Sequence, residues 1–232
     1  MSRPPVPPSP GPRRGYDRAM ASVSSTSPAA RGVARPRVAA VLAAIGAGSV
    51  AALGVAHVDA PVSGGTLGAE AGTLAIMAGG EGADVERARP VLATLGRVTH
   101  VGPHGAGQLA KLANQMIVGI TIGAVAEALL LCEKGGADPA KVREAISGGF
   151  ADSRVLQVHG QRMVERDFAP RARMTVQLKD MRNALATASE IGLQVPVTAL
   201  FEALYADAVA HGFADLDHSG LFAELAARNA LR

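Results

Sequence analysis

From residue 109 to residue 132 the chain carries only two charged side chains, Lys111 and Glu127, and Gly135 and Gly136 close the run. A helix this apolar on nearly all sides is expected to be buried all round. It must then pass between packed bodies, either parts of one chain or separate subunits, and the rest of the fold has to be arranged about it. Downstream the pattern stays helical. Asp138 and Pro139 supply an N-cap and first-turn pair for a short helix reaching Ser147. Further helices fit 153–165, 174–191, 196–211 and 218–227.

Upstream the period changes. VAHVDAPV (55–62) reads as a short strand rich in β-branched residues, halted by a turn at Gly64 and Gly65. TLAIMAGG (73–80) is a second strand, 83–95 has helical spacing and stops at Gly96, and VTHVG (98–102) is a third strand. Strand, strand, helix, strand is a fragment of an α/β sheet, too small to cover both its faces alone.

Composition limits the classes of function. Hydrophobic residues make up 48% of the chain and charged ones 19%, enough for a large core, while aromatics at 3% and the absence of Trp make that core aliphatic. This argues against nucleic-acid binding, which relies on stacking aromatics. The net charge of +3 is misleading, because seven Arg and one Asp give residues 1–37 a charge of +6 and leave 38–232 at −3. That Pro-, Ser- and Arg-rich arm shows no apolar period and reads as disordered. Residues 38–56 are uncharged but mostly Ala and Gly. They start too deep for a secretory signal and have little of the Leu, Ile and Phe content that drives bilayer insertion, so no membrane partner is expected. The single cysteine, Cys132, excludes an internal disulfide and reads as a small buried hydrophobe in a cytoplasmic protein. No metal-ligand cluster is visible.

Three segments carry chemistry. In DAPVSGGTLGAEAGTLAIMAGG (59–80), a strand ends on Ser63, Gly64 and Gly65. Such a stretch is either a plain tight turn or a nest of bare N–H groups that holds an anion, with the Ser hydroxyl as a further donor. In GAGQLAKLANQ (105–115), Lys111, Asn114 and Gln115 fall at i, i+3 and i+4 and share one helical face. Lys111 there is either a desolvated amine suited to proton transfer or a lysine that snorkels near a helix start. In QLKDMRNAL (177–185), Lys179 and Asp180 interrupt an amphipathic helix and on spacing alone read as a solvated face.

Together, in this order, the three segments resemble the β-hydroxyacid dehydrogenase family, the 3-hydroxyisobutyrate dehydrogenases and their relatives, over about three-quarters of the chain. ANQMIVGITIGAVAEALLL and the later LKD and DHS segments are most similar to the 2-hydroxy-3-oxopropionate (tartronate semialdehyde) reductases within it. The resemblance implies a mainly α fold: the remnant of a Rossmann-type α/β sheet over 38–102, then an all-helical substrate and oligomerisation domain of the 6-phosphogluconate dehydrogenase-like type over 103–232. It implies an NAD- or NADP-dependent oxidoreductase acting on the alcohol or carbonyl of a small carboxylate, as a dimer or tetramer. Ser63, Gly64 and Gly65 would bind the carboxylate and Lys111 would donate or accept the proton. Asn114, Gln115 and Asp180 would order the substrate side, and Lys179 would lie at the cofactor. An aromatic that family members often place before LKD is Ala172 here.

The dinucleotide fingerprint is the departure. Gly46, Gly48 and Ala51 spell G-x-G-x-x-A, but only six residues separate Gly48 from Val55, where the next strand starts. That leaves no room for the helix and crossover such a loop requires. SSTSPAARGVA (24–34) is similar to the segment that precedes DAPVSGG in the family, at longer spacing. The chain is thus read as a member without its first half, which predicts weakened cofactor binding. The alternative is a non-catalytic relic that serves as an oligomerising module.

Overall fold

The computed structural model describes residues 53–231. The arm over 1–37, the run 38–52 and the G-x-G-x-x-A match at Gly46, Gly48 and Ala51 lie outside those residues. Three strands form one sheet in the order β1 (Val62–Ser63), β2 (Leu74–Gly79), β3 (Gly96–Gly102). β1 is antiparallel to β2, with Val62 opposite Ile76. β2 and β3 are parallel and are joined through α2 (Gly82–Leu92), the crossover that parallel neighbours need. Leu74, Ile76 and Ala78 alternate along β2 and are all buried, as period-two residues on a core face should be.

The strand expected from Val55 is shorter than its composition suggests. Only a single bridge, Asp59 to Gly79, precedes β1. Pro61 explains the break: its carbonyl accepts from Met77 N at 3.0 Å, but it has no N–H to return. The glycine turn is also more than a stop, because α1 (Gly65–Glu70) starts directly on it. GTLGAE hides that helix, having two glycines and no apolar period.

The long helix, α3 (Ala106–Lys134), begins earlier than its apolar pattern because a remote carboxylate caps it. Asp59 Oδ1 accepts from Gly105 N at 2.8 Å and Oδ2 from Gln108 N at 3.1 Å. A buried anion at a helix N-terminus satisfies orphan donors and complements the dipole. α3 then packs on β2 and β3 at its start and on the other helices along its length. Burial all round is not found within one chain. One face, including Ile122, Ala126 and Leu129, is fully buried, while Ile117 is 66% and Leu131 75% exposed. On length and composition alone α3 could cross a membrane, and here its buried face is the centre of an aliphatic core with Met163, Met174, Met181, Tyr205 and Phe222.

Around it lie α4 (Pro139–Ile146), α5 (Gln161–Glu165), α6 (Met174–Glu190), α7 (Pro196–Ala208) and α8 (Leu221–Arg228). Asp138 caps α4 as expected, accepting from Ala140 N at 2.8 Å. Two of the expected helices, 153–165 and 196–211, run through π turns. A π turn at Leu156–Gly160 precedes α5, and another at Val209–Phe213 follows α7, where Gly212 takes a φ of +95° that a helix cannot continue through.

Candidate functional site

Lys111 sits in the second turn of α3, where the Asp59 cap holds the helix against the sheet. Its Nζ donates to Val62 O at 2.9 Å. Burial lowers the Lys111 pKa, the Asp180 carboxylate pulls it back up, and Lys179 lowers it further. Of the two readings left open by spacing, this geometry fits a partly desolvated amine.

Val62 is the residue before Ser63. At the turn, Gly64 has φ +145° and Gly65 φ +62°, values that glycine adopts without a Cβ penalty. A Cβ built on Gly65 would meet nothing within 4 Å, so the turn opens to free space. The first N–H groups of α1, starting at Gly65, have no acceptor inside the helix. Lys111 Nζ therefore lies against the main chain immediately before the turn.

The amides continue the site across to α6. Asn114 Nδ2 donates to Gln115 Oε1 at 2.9 Å, and Gln115 Nε2 donates to Asp180 Oδ2 at 2.6 Å. The other carboxylate oxygen, Oδ1, pairs with Lys179 Nζ at 2.9 Å. The solvated-face reading of this pair holds for one member only: the Lys179 side chain is 63% exposed, whereas that of Asp180 is 14% exposed and turned toward α3. Lys111, Asn114, Gln115, Lys179 and Asp180 are thus brought together, and Lys111 links them to Ser63, Gly64 and Gly65. A groove of about 460 Å³ between α3 and α8, lined by Leu130, Leu131, Leu225 and Leu231 among others, lies toward the opposite end of α3.

Sequence reasoning missed three polar residues here. Asp59 carries no local signal of its role, yet it anchors α3. Gln177 is fully buried on α6 and its Nε2 donates to Gln115 O at 3.0 Å. His218 is buried and stacked on His159, ring centroids 6.1 Å apart. Their signals are a mid-helix amide among apolar residues and the DHS segment. Below His218, Asp217 is buried; burial alone would raise its pKa, but hydrogen bonds from His159 and Ser219 and the charge of Arg162 hold it far below the usual range. Arg162 Nη1 lies 3.0 Å from its Oδ1. Ala172 donates its N–H to Asp217 Oδ2 at 3.2 Å.

His218 gives a pH test. Burial lowers its pKa to about 4 from 6.5, against the pull of Asp217 and Asp180. Between those values the unfolded chain takes up a proton that the folded chain refuses, so stability is complete above pH 6.5 and falls as the pH drops. The loss should total about 3 kcal/mol. In urea unfolding across this range, His218→Phe is expected to flatten the decline, and an unchanged slope would refute the assignment.

Several known proteins are similar to this chain. The pattern for the NAD-binding region of NADP-dependent 3-hydroxyisobutyrate dehydrogenase matches residues 105–225, and that for the NAD-binding domain of 6-phosphogluconate dehydrogenase matches residues 34–102. The 2-hydroxy-3-oxopropionate reductase of Escherichia coli K12 is 49% identical over 170 residues, covering 73% of this chain and 58% of that protein. The 3-hydroxyisobutyrate dehydrogenase of Pseudomonas aeruginosa is 38% identical over 181 residues, 75% of this chain and 60% of its own length. Among solved structures, a Mycobacterium tuberculosis 3-hydroxyisobutyrate dehydrogenase with L-serine superposes with a TM-score of 0.71 at 32% identity, over 79% of this chain and 65% of that one. A Salmonella typhimurium 3-hydroxyisobutyrate dehydrogenase gives 0.72 at 27% identity, over 78% and 64%. The chain therefore spans between about half and two-thirds of the length of these relatives.

Proposed function

The chain belongs to the 3-hydroxyisobutyrate dehydrogenase-like family, and on that premise we propose that it is an NAD(P)-dependent oxidoreductase acting on the alcohol or carbonyl of a small carboxylate of the 2-hydroxy-3-oxopropionate or 3-hydroxyisobutyrate type. The observation that carries this reading is the 2.9 Å bond from Lys111 Nζ to Val62 O. It puts a proton-bearing amine beside an open backbone turn, and a substrate with both a carbonyl and a carboxylate needs those two features side by side.

The Ser63 hydroxyl and the N–H groups at Gly64 and Gly65 hold the carboxylate, the Ser63 N–H being engaged in the β1–β2 ladder. Lys111 Nζ then faces the substrate oxygen, gives it a proton in reduction and takes one in oxidation. Partial burial brings the amine closer to the pH at which transfer in either direction is efficient. Asn114 and Gln115 orient the oxygen and the amine, and Asp180 holds Gln115 by the 2.6 Å bond. When bound, the reduced nicotinamide supplies the hydride, and Lys179, exposed at the same edge, is the residue to contact it. Residues 38–102 form the dinucleotide-binding part of this scheme and 103–232 the substrate and oligomerisation part, in a cytoplasmic dimer or tetramer.

Fluorescence titration of the purified chain with NADH and NADPH, followed by loss of reduced-nicotinamide absorbance on adding tartronate semialdehyde, tests the reading. Binding with turnover is expected; absence of both would sink it. The exposed apolar face of α3, with Ile117 and Leu131, favours a second reading as an oligomerising module without turnover. A stable dimer in sedimentation that binds neither nucleotide would select it.

A further inference from the structure

We propose that Gln177 is a positioning residue: it locks the register of α6 on α3 and so keeps the Asp180 carboxylate on Gln115, on the helical face that carries Lys111. The proposal rests on the oxidoreductase reading for its purpose, though not for its test. Gln177 is fully buried. Its Nε2 donates to Gln115 O, and its Oε1 has no partner. A methionine would fill the same space and leave no acceptor stranded, so packing alone does not account for an amide there.

Geometry does account for it. Gln177 and Asp180 stand at i and i+3 on α6, on one face of the helix. The first holds the main-chain carbonyl of Gln115 at 3.0 Å, and the second accepts from the side chain of the same residue at 2.6 Å. α6 therefore grips one residue of α3 at two points. Slipping the helices past each other would break both bonds together, the kind of register control for which a buried polar group is best attested. α3 is shaped to admit the grip. Gly119 lies one turn beyond Gln115, and a Cβ there would collide with Gln177 Nε2 and come within 3.0 Å of Met181 Sδ. The carbonyl of Gly119 accepts from Tyr205 Oη of α7 at 3.1 Å, which fixes the next turn of α3 as well.

The consequence falls on Lys111. The charged groups acting on its amine are Asp180 and Lys179, both from α6, with the Val62 carbonyl approaching from β1. Asp180 opposes the effect of burial, so releasing the grip removes that opposition.

The chain has four lysines, Lys111, Lys134, Lys141 and Lys179, so NMR of the full chain after reductive methylation with ¹³C-formaldehyde follows each amine separately, Lys111 being assigned by its loss in Lys111→Arg. In Gln177→Met the Lys111 titration midpoint should fall by roughly half a pH unit or more, with the thermal midpoint unchanged or raised. Gly119→Ala, which displaces the amide from the other side, should produce the same fall. On an Asp180→Asn background Gln177→Met should add little, because both act through one carboxylate. A folded Gln177→Met or Gly119→Ala chain whose Lys111 titrates as in wild type would overturn the proposal. If the wild-type chain oxidises no reduced nicotinamide, the functional reading fails while the titration still decides the register lock. If it does turn over, the pH limb of kcat should move with the NMR midpoint and KM stay within about twofold.

Discussion

Lys111→Met is expected to lower turnover by about 10²–10⁴-fold, the range for losing a positioned proton donor. The unfolding midpoint should stay within about 2 °C, because Lys111 makes one hydrogen bond, to Val62 O, and methionine retains most of its apolar stem. The two directions of the reaction should respond oppositely to pH. Reduction needs the ammonium, so its rate falls as the pH rises through the Lys111 pKa, which burial has brought below the ordinary lysine value. Oxidation needs the free amine and gains over the same interval. Lys111→Arg separates charge from proton transfer, since guanidinium keeps the cation but does not release its proton. Substrate binding should survive in that variant and turnover should not. Steady-state kinetics in both directions would show this, and a Lys111→Met chain with more than about a tenth of wild-type turnover would move the proton to another group.

Gly107→Ala should be strongly damaging to the fold. A Cβ at that position would lie 2.6 Å from Asp59 Oδ2, 2.8 Å from Asp59 O, and nearer still to Met77 O. Two of those atoms are main chain and cannot swing aside, so α3 would have to lift off β2 and lose the Asp59 cap. Overpacking of this kind, together with a lost buried cap, is expected to cost about 3 kcal/mol or more. Gly105→Ala is the control. Its φ of +87° strains an L-residue, yet a Cβ there meets nothing within 4 Å, so only the backbone term of about 1–2 kcal/mol applies. Urea midpoints for the two variants should differ in that order. Equal midpoints would mean that the close approach of α3 to β2 is not what the helix start depends on.

The helical half was legible because its signals are local. The apolar run located α3, Asp138 and Pro139 located the start of α4, and spacing placed Lys111, Asn114 and Gln115 on one face. What stayed hidden depends on groups far apart in the chain. The true start of α3 is set by Asp59, whose carboxylate comes from an isolated bridge residue ahead of β1, separated in sequence from α3 by α1 and α2. Pro61 cuts a strand that its β-branched neighbours advertise. The inward turn of Asp180 follows from Gln115, a partner 65 residues away, and no periodicity on α6 announces it. The exposed face of α3 shows the opposite failing: hydrophobicity marks surface that some contact should cover, without saying that the same chain covers it.

The span of α3 also bears on how the molecule comes apart. At 29 residues it is about 44 Å long, and its first turns belong to the sheet while its later turns are the centre of the helical core. Among the described residues the sheet has three strands, one of them two residues long, and so it leans on packing against α3 to persist in water. The core, in turn, cannot keep its shape if its central rod unwinds. Melting should therefore be a single event, with calorimetric and van't Hoff enthalpies equal, and amides in β2 should exchange with solvent at the same free energy as those in the middle of α3.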